Sequence, residues 1–190
     1  GRGYFSTAYT LFMPVHAITL GAFPVALSGL VSKYHATGDS ARVAALQRSA
    51  RGLFFWVGLA GMALMVLLAG PYTRLVAGAP KAVYTVLILA PTALFSAMAA
   101  AHRAFAEGHL NMVPTSVCQV LEALFKMVFG LLFAKLSMGR LYQIYLDTGM
   151  VLGNRAESET TALSMMYPVT AACAMLGVTL GALAAWVYAA

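Results

Sequence analysis

GHLNMVPTSVCQVLEALFKMVFGLLFAK, residues 108–135, is greasy enough to cross a bilayer, yet it carries a glutamate and a lysine near its middle. Between residues 112 and 134, Glu122 and Lys126 are the only ionisable side chains other than the thiol of Cys118. A soluble amphipathic helix carries charge along a whole face. A purely anchoring membrane helix carries none. Here Thr115, Gln119, Glu122 and Lys126 are spaced four, three and four apart, which is one face of an α-helix. The polar line cannot face hydrocarbon cheaply, because Lys or Asp at mid-helix costs about 2.5–3.5 kcal/mol on insertion scales. It is expected to face other protein or a water-filled cavity. Glu122 precedes Lys126 by four, the favourable order for an ion pair. The line therefore serves as a charge lock within the bundle, as a cavity lining for a charged or sugar-bearing solute, or as both.

The rest of the chain agrees with a membrane setting. Of its 190 residues, 61% are hydrophobic and 9% charged, with a mean hydropathy of +0.80. A soluble domain is nearer 45–50% apolar and about 25% charged. The net charge is +6, but the basic residues sit mainly between greasy runs. They point to loops facing water and anionic headgroups rather than to a nucleic-acid partner. Cys118 and Cys173 lie inside apolar runs without the spacing of a zinc site or disulfide framework, and are expected as buried free thiols. No Walker A, GxSxG, HExxH or metal-ligand pattern occurs, so no enzyme activity, cofactor or metal is expected. Any transport would then draw on an ion gradient or the membrane potential. The Gly-Arg-Gly start, with no signal-peptide pattern behind it, is expected to belong to a cropped chain.

Five apolar runs reach the roughly 20 residues that a helical crossing needs: residues 10–31, 52–70, 82–101, 112–134 and 162–190. Alternating barrel patterning is absent, so the expected fold is all-α, a polytopic transmembrane helix bundle of about five spans in a single membrane domain. Pro14, Pro24, Pro91 and Pro168 lie within these runs and each can kink its helix. GVTLG, at 177–181, permits close helix contact. Residues 32–51 read as a dense basic loop, with Ser40 capping a short helix. Residues 135–161 read as a mixed-charge loop in which Leu141, Ile144 and Tyr145 share an interfacial helical face.

With five spans, loops 32–51 and 102–111 share a side. That side holds Lys33, Arg42, Arg48, Arg51 and Arg103; the other holds Arg2, Arg74, Lys81, Lys135, Arg140 and Arg155. The totals nearly balance, and the dense first loop places its side in the cytoplasm.

Two blocks carry a family resemblance. PVHAITLGAFPVALSGLVSKYHATGD resembles the second helix and following loop of the stage V sporulation protein B family, with its "GlPxAlSklVse" pattern. APTALFSAMAAAHRAFAEGHLNMVPTSVCQVLEALFK resembles that family's "RGyfqG" element followed by "MxPTaxSQvxEqxxR". Arg103, Gly108, Met112, Pro114, Thr115, Gln119 and Glu122 match in order and spacing, and Lys126 stands where a basic residue is usual. Ala104 replaces the glycine after the arginine, and Cys118 replaces the usual serine.

The resemblance implies part of the N-terminal lobe of a transporter in the multidrug and oligosaccharidyl-lipid/polysaccharide (MATE-like) exporter superfamily. Its members have two pseudo-symmetric lobes around a central cavity. On that basis GRGYFSTAY is the exit from a preceding helix. The chain would sit in the plasma (inner) membrane, with the remainder of the transporter as a partner. The implied activity is flipping of a lipid-linked saccharide, such as a polysaccharide or peptidoglycan precursor, by alternating access. Gln119, Glu122, Lys126, Thr115 and Arg103 are the cavity candidates, with Lys126 meeting a pyrophosphate and Glu122 tuning it. The alternatives are a proton- or sodium-coupled drug antiporter using Glu122 or His16, and a non-transporting scaffold for cell-envelope assembly.

Overall fold

A computed structural model describes residues 2–78, 82–151, 154–155 and 158–190. It is an all-α bundle of α1 (Arg2–Leu20), α2 (Phe23–Ala36), α3 (Ser40–Pro71), α4 (Val83–Gly108), α5 (Val113–Thr148) and α6 (Glu159–Ala189). Between α5 and α6 in the chain, Met150–Val151 pairs antiparallel with Asn154–Arg155. Among the described residues, four helices are long and apolar enough to cross a membrane: α3 with its π-helical extension Tyr72–Val76, α4, α5 and α6.

The first apolar run is divided between α1 and α2, with the break at Gly21 and Ala22. Pro24 falls in the first turn of α2, where its missing N–H and its restriction on the preceding residue favour a new helix over continuation of the old one. The helices run on through Pro14, Pro91 and Pro168. Residues 2–9, expected as an exit segment, are themselves helical and form the first turns of α1.

Helix fills most of the stretches read as loops. Residues 32–51 are the end of α2, a turn at Thr37–Asp39, and the first turns of α3. At 32 residues, α3 is about 48 Å long. That exceeds a hydrocarbon core of about 30 Å, so its basic first turns can lie outside it. Asp39, not Ser40, is the cap: its Oδ1 accepts the Arg42 N–H at 3.1 Å, and its Oδ2 pairs with Arg42 Nε at 3.0 Å. Asp39→Ala is expected to lower stability by about 1 kcal/mol, measurable as a small fall in melting temperature. An unchanged value would mean that α3 needs no cap.

Residues 135–148 likewise continue α5, which stops where Gly149 takes a left-handed φ of 64°. Leu141 and Tyr145 pack on a small core of Val151, Ala162 and Met166, whereas Ile144 is exposed. Loop 102–111 is shorter than its sequence suggests, because α4 persists to Gly108.

Helix α4 is the hub. At its N-terminal half, Val86, Leu89, Ala90 and Ala93 pack with Ala8, Leu11, Phe12 and Val15 of α1 and Met65 and Ala69 of α3. At its C-terminal half, Ala97, Ala100, Ala101 and Ala104 pack with Leu27 and Val31 of α2 and Ala50 and Phe54 of α3. So α1–α2 runs alongside α4 as one broken helix, antiparallel to α3. Gly108 meets α2 so closely that an added Cβ would lie 2.5 Å from Val31 Cβ. Threonines join α4 to α6: the Thr179 hydroxyl donates to the Ile88 carbonyl at 2.9 Å and lies 3.1 Å from that of Thr92.

Helix α5 packs mainly on α6. Gly177 of α6 faces Gly130 of α5, and a Cβ at Gly177 would strike the backbone of Gly130 and Phe129. The GVTLG stretch does make the close contact its spacing suggests. His35, ending α2, and His109, following α4, touch with ring centres 4.8 Å apart. The α2–α3 and α4–α5 turns therefore share one end of the bundle, as the span order requires. Lys81 and the side chains of Arg2 and Arg155, which enter the charge balance, lie outside the described residues.

Candidate functional site

Because α5 leans on α6 rather than on its chain neighbour α4, a wedge opens between α4 and α5 and α1 borders it. The wedge is a cavity of about 270 Å³ lined by His16, Pro24, Ala100, Arg103, Ala104, Glu107, Thr115 and Gln119. Each wall follows from local sequence. Arg103 and Glu107 are one turn apart on α4, beside the short side chains of Ala100 and Ala104, which leave the space unfilled. Thr115 and Gln119 are one turn apart on α5. The α1–α2 break brings His16 and Pro24 to the same rim.

The polar line on α5 divides in two. Thr115 and Gln119 line the cavity, whereas Glu122 and Lys126 are absent from its lining and lie further along the same face. Lys126 Nζ lies 2.7 Å from Glu122 Oε1, and Arg103 Nη1 lies 3.9 Å from Glu122 Oε2. One carboxylate thus stands between two cations, one from α4 and one from α5. The side chains of Arg103 and Glu122 are only 20% and 21% exposed, so this is not an ordinary solvated surface pair. Thr115 Oγ1 donates to Glu107 Oε1 at 2.8 Å, a second tie from α5 to α4. The Phe12 ring packs on His16, centres 5.1 Å apart.

Helix α6 backs this site. A Cβ on Gly181 would sit 2.8 Å from the Glu122 carbonyl oxygen and 3.0 Å from Lys126 Cγ, so the glycine makes room for the lysine stem. The Cys118 thiol is buried and donates to the Ala185 carbonyl at 3.5 Å. The cysteine found where the resemblance has serine therefore keeps a polar contact. Lys126 also borders an apolar groove of about 520 Å³ with Tyr9, Met127, Gly130 and Leu131.

Of the residues singled out in the sequence, His16, Arg103, Thr115 and Gln119 converge on one cavity, and Glu122 and Lys126 adjoin it through Arg103. The cavity adds Glu107 and Pro24 to the set. The sequence signal for Glu107 is its four-residue spacing from Arg103, which carries weight only once α4 extends to Gly108. Among the described residues no three His, Cys, Asp or Glu side chains gather as metal ligands.

Over 129 residues the chain is 27% identical to the Lipid II flippase MurJ of Bacillus subtilis (strain 168), an alignment covering 64% of this chain and 23% of that protein. The chain thus spans less than a quarter of the length of the curated relative it matches. No protein-family model matches the chain, and no solved structure matches it.

Proposed function

We propose that the chain is part of one lobe of a multi-pass inner-membrane flippase that moves a lipid-linked saccharide, a polysaccharide or peptidoglycan precursor, by alternating access. The observation that carries the proposal is the cavity between α1, α4 and α5, with Arg103 on its wall and the Arg103–Glu122–Lys126 chain beside it. The similarity to a lipid II flippase supports the same substrate class.

The geometry favours a division of labour among the cations. Lys126 is close to Glu122, at 2.7 Å, whereas Arg103 reaches the same carboxylate only at 3.9 Å. A guanidinium carries five N–H donors in a fork that suits phosphate oxygens. Arg103, rather than Lys126, would thus meet a pyrophosphate first, and Glu122 would yield it as the headgroup arrives. Gln119, Thr115 and Glu107 supply donors and acceptors for saccharide hydroxyls. An organic-cation antiporter is the weaker alternative, because the chain's similarity is to a lipid II flippase. A scaffold helix would bury its polar line against a partner and needs no cavity.

The test is cysteine-accessibility labelling at positions 115, 119, 122 and 126, in protein with Cys118 and Cys173 replaced. Positions 115 and 119 are expected to react with a water-soluble maleimide from one side of the membrane and to be protected by added lipid-linked saccharide. Absence of labelling from both sides would reduce Glu122–Lys126 to a structural pair. Labelling without protection would set the saccharide assignment aside.

A further inference from the structure

We propose that His35 and His109 form a two-histidine site for a transition cation of the zinc type, joining α2 to α4 at the end of the bundle that holds the α2–α3 and α4–α5 turns. With zinc–nitrogen bonds of about 2.0–2.1 Å, two imidazoles on one tetrahedral ion have ring centres about 5 Å apart. The observed separation is 4.8 Å, with the planes inclined by 57° rather than stacked. His109 Nδ1–H donates to the Phe105 carbonyl at 2.9 Å. That bond fixes the tautomer and leaves the Nε2 lone pair as the ligand, the usual second partner of a metal-bound histidine.

Room for the remaining ligands is present. Both histidines line a cavity of about 370 Å³, together with Tyr34, Ser40 and Gln47. It is large enough for water, with side-chain oxygens nearby. Arg42, 5.7 Å from the centre of the Tyr34 ring, is paired with Asp39 at 3.0 Å, which offsets its charge. The site lies at the opposite end of α2 from the Gly21–Ala22 break and takes no residue from the cavity of the proposed flippase. It stands or falls independently of that function.

An ion here would tie α2 to the end of α4 beside the tight Gly108–Val31 contact. Zn²⁺ titration of the purified protein in detergent micelles, followed calorimetrically, tests the site, and Co²⁺ absorption gives a second readout. Saturable binding of one ion per chain is expected. It should weaken at least about tenfold in His35→Ala and in His109→Ala. It should persist in His102→Ala, whose Nδ1 bonds the Met98 carbonyl and whose ring lies outside this cavity. Should either alanine variant lose helix content, His35→Gln and His109→Gln take its place. No saturable binding by the unaltered protein, or equal binding by all variants, would overturn the assignment.

Discussion

Glu122→Gln is expected to lower the melting temperature of the detergent-solubilised protein by several degrees. The substitution keeps shape and some hydrogen bonding but removes the one negative charge between Arg103 and Lys126. Breaking a fully buried pair by deleting one partner costs about 3–5 kcal/mol. These side chains retain one-fifth to one-third exposure, so we expect about 2 kcal/mol, or about 4–8 °C for a chain of this size. Lys126→Met added to Glu122→Gln should recover part of the loss, because it removes one of the two cations left facing each other. A cycle of the two single variants and the double measures the coupling. If Glu122→Gln melts with the parent, the ion chain carries no structural weight and its presence beside the cavity would need a purely transport-related explanation.

The second large effect is expected at Gly177. Its Cα lies against the Gly130 backbone, so a side chain there meets main chain that cannot rotate away. Overpacking commonly costs about 1–3 kcal/mol, and a collision between two helix backbones belongs at or above the top of that range. Gly177→Leu should separate α5 from α6 and lower the melting temperature by about 10 °C or more. Gly139→Ala is the matched control. It too is a helical glycine, on α5 rather than α6, but nothing lies within 4 Å of an added Cβ. Removing glycine from a helix interior there should be neutral or slightly stabilising, by up to about 1 kcal/mol. Equal melting of the two variants would mean that the glycine contact does not hold α5 to α6.

These two effects draw on different kinds of information in the chain. The all-α membrane fold follows from composition and from long apolar runs, and these are local properties. The face shared by Thr115, Gln119, Glu122 and Lys126 follows from helical periodicity. Which other helix supplies Arg103 to Glu122 does not, because it depends on α5 leaning towards α6. That in turn depends on Gly130 and Gly177, far apart in the chain, meeting in the bundle. Apolar runs also mark helix ends at the limits of hydrophobicity, whereas hydrogen bonding sets them. The mixed stretches 135–148 and 102–108 keep their helical backbone past the apolar runs, and the runs alone carry no record of that. The broken first span is half legible. Pro24 marks it, but Pro14, Pro91 and Pro168 are tolerated within helices, so proline alone does not say which helix divides.

Seven of the buried residues of the hub helix α4 are alanines, side chains with no rotamer to freeze on packing. Among lipid tails helices gain little from leaving one apolar solvent for another. An interface of this kind is held by dispersion attraction between close surfaces, almost free of side-chain entropy loss. It should therefore respond to added volume far more than to added hydrophobicity: one extra methylene at Ala97 or Ala101 would wedge neighbours apart, and its greater greasiness would return almost nothing.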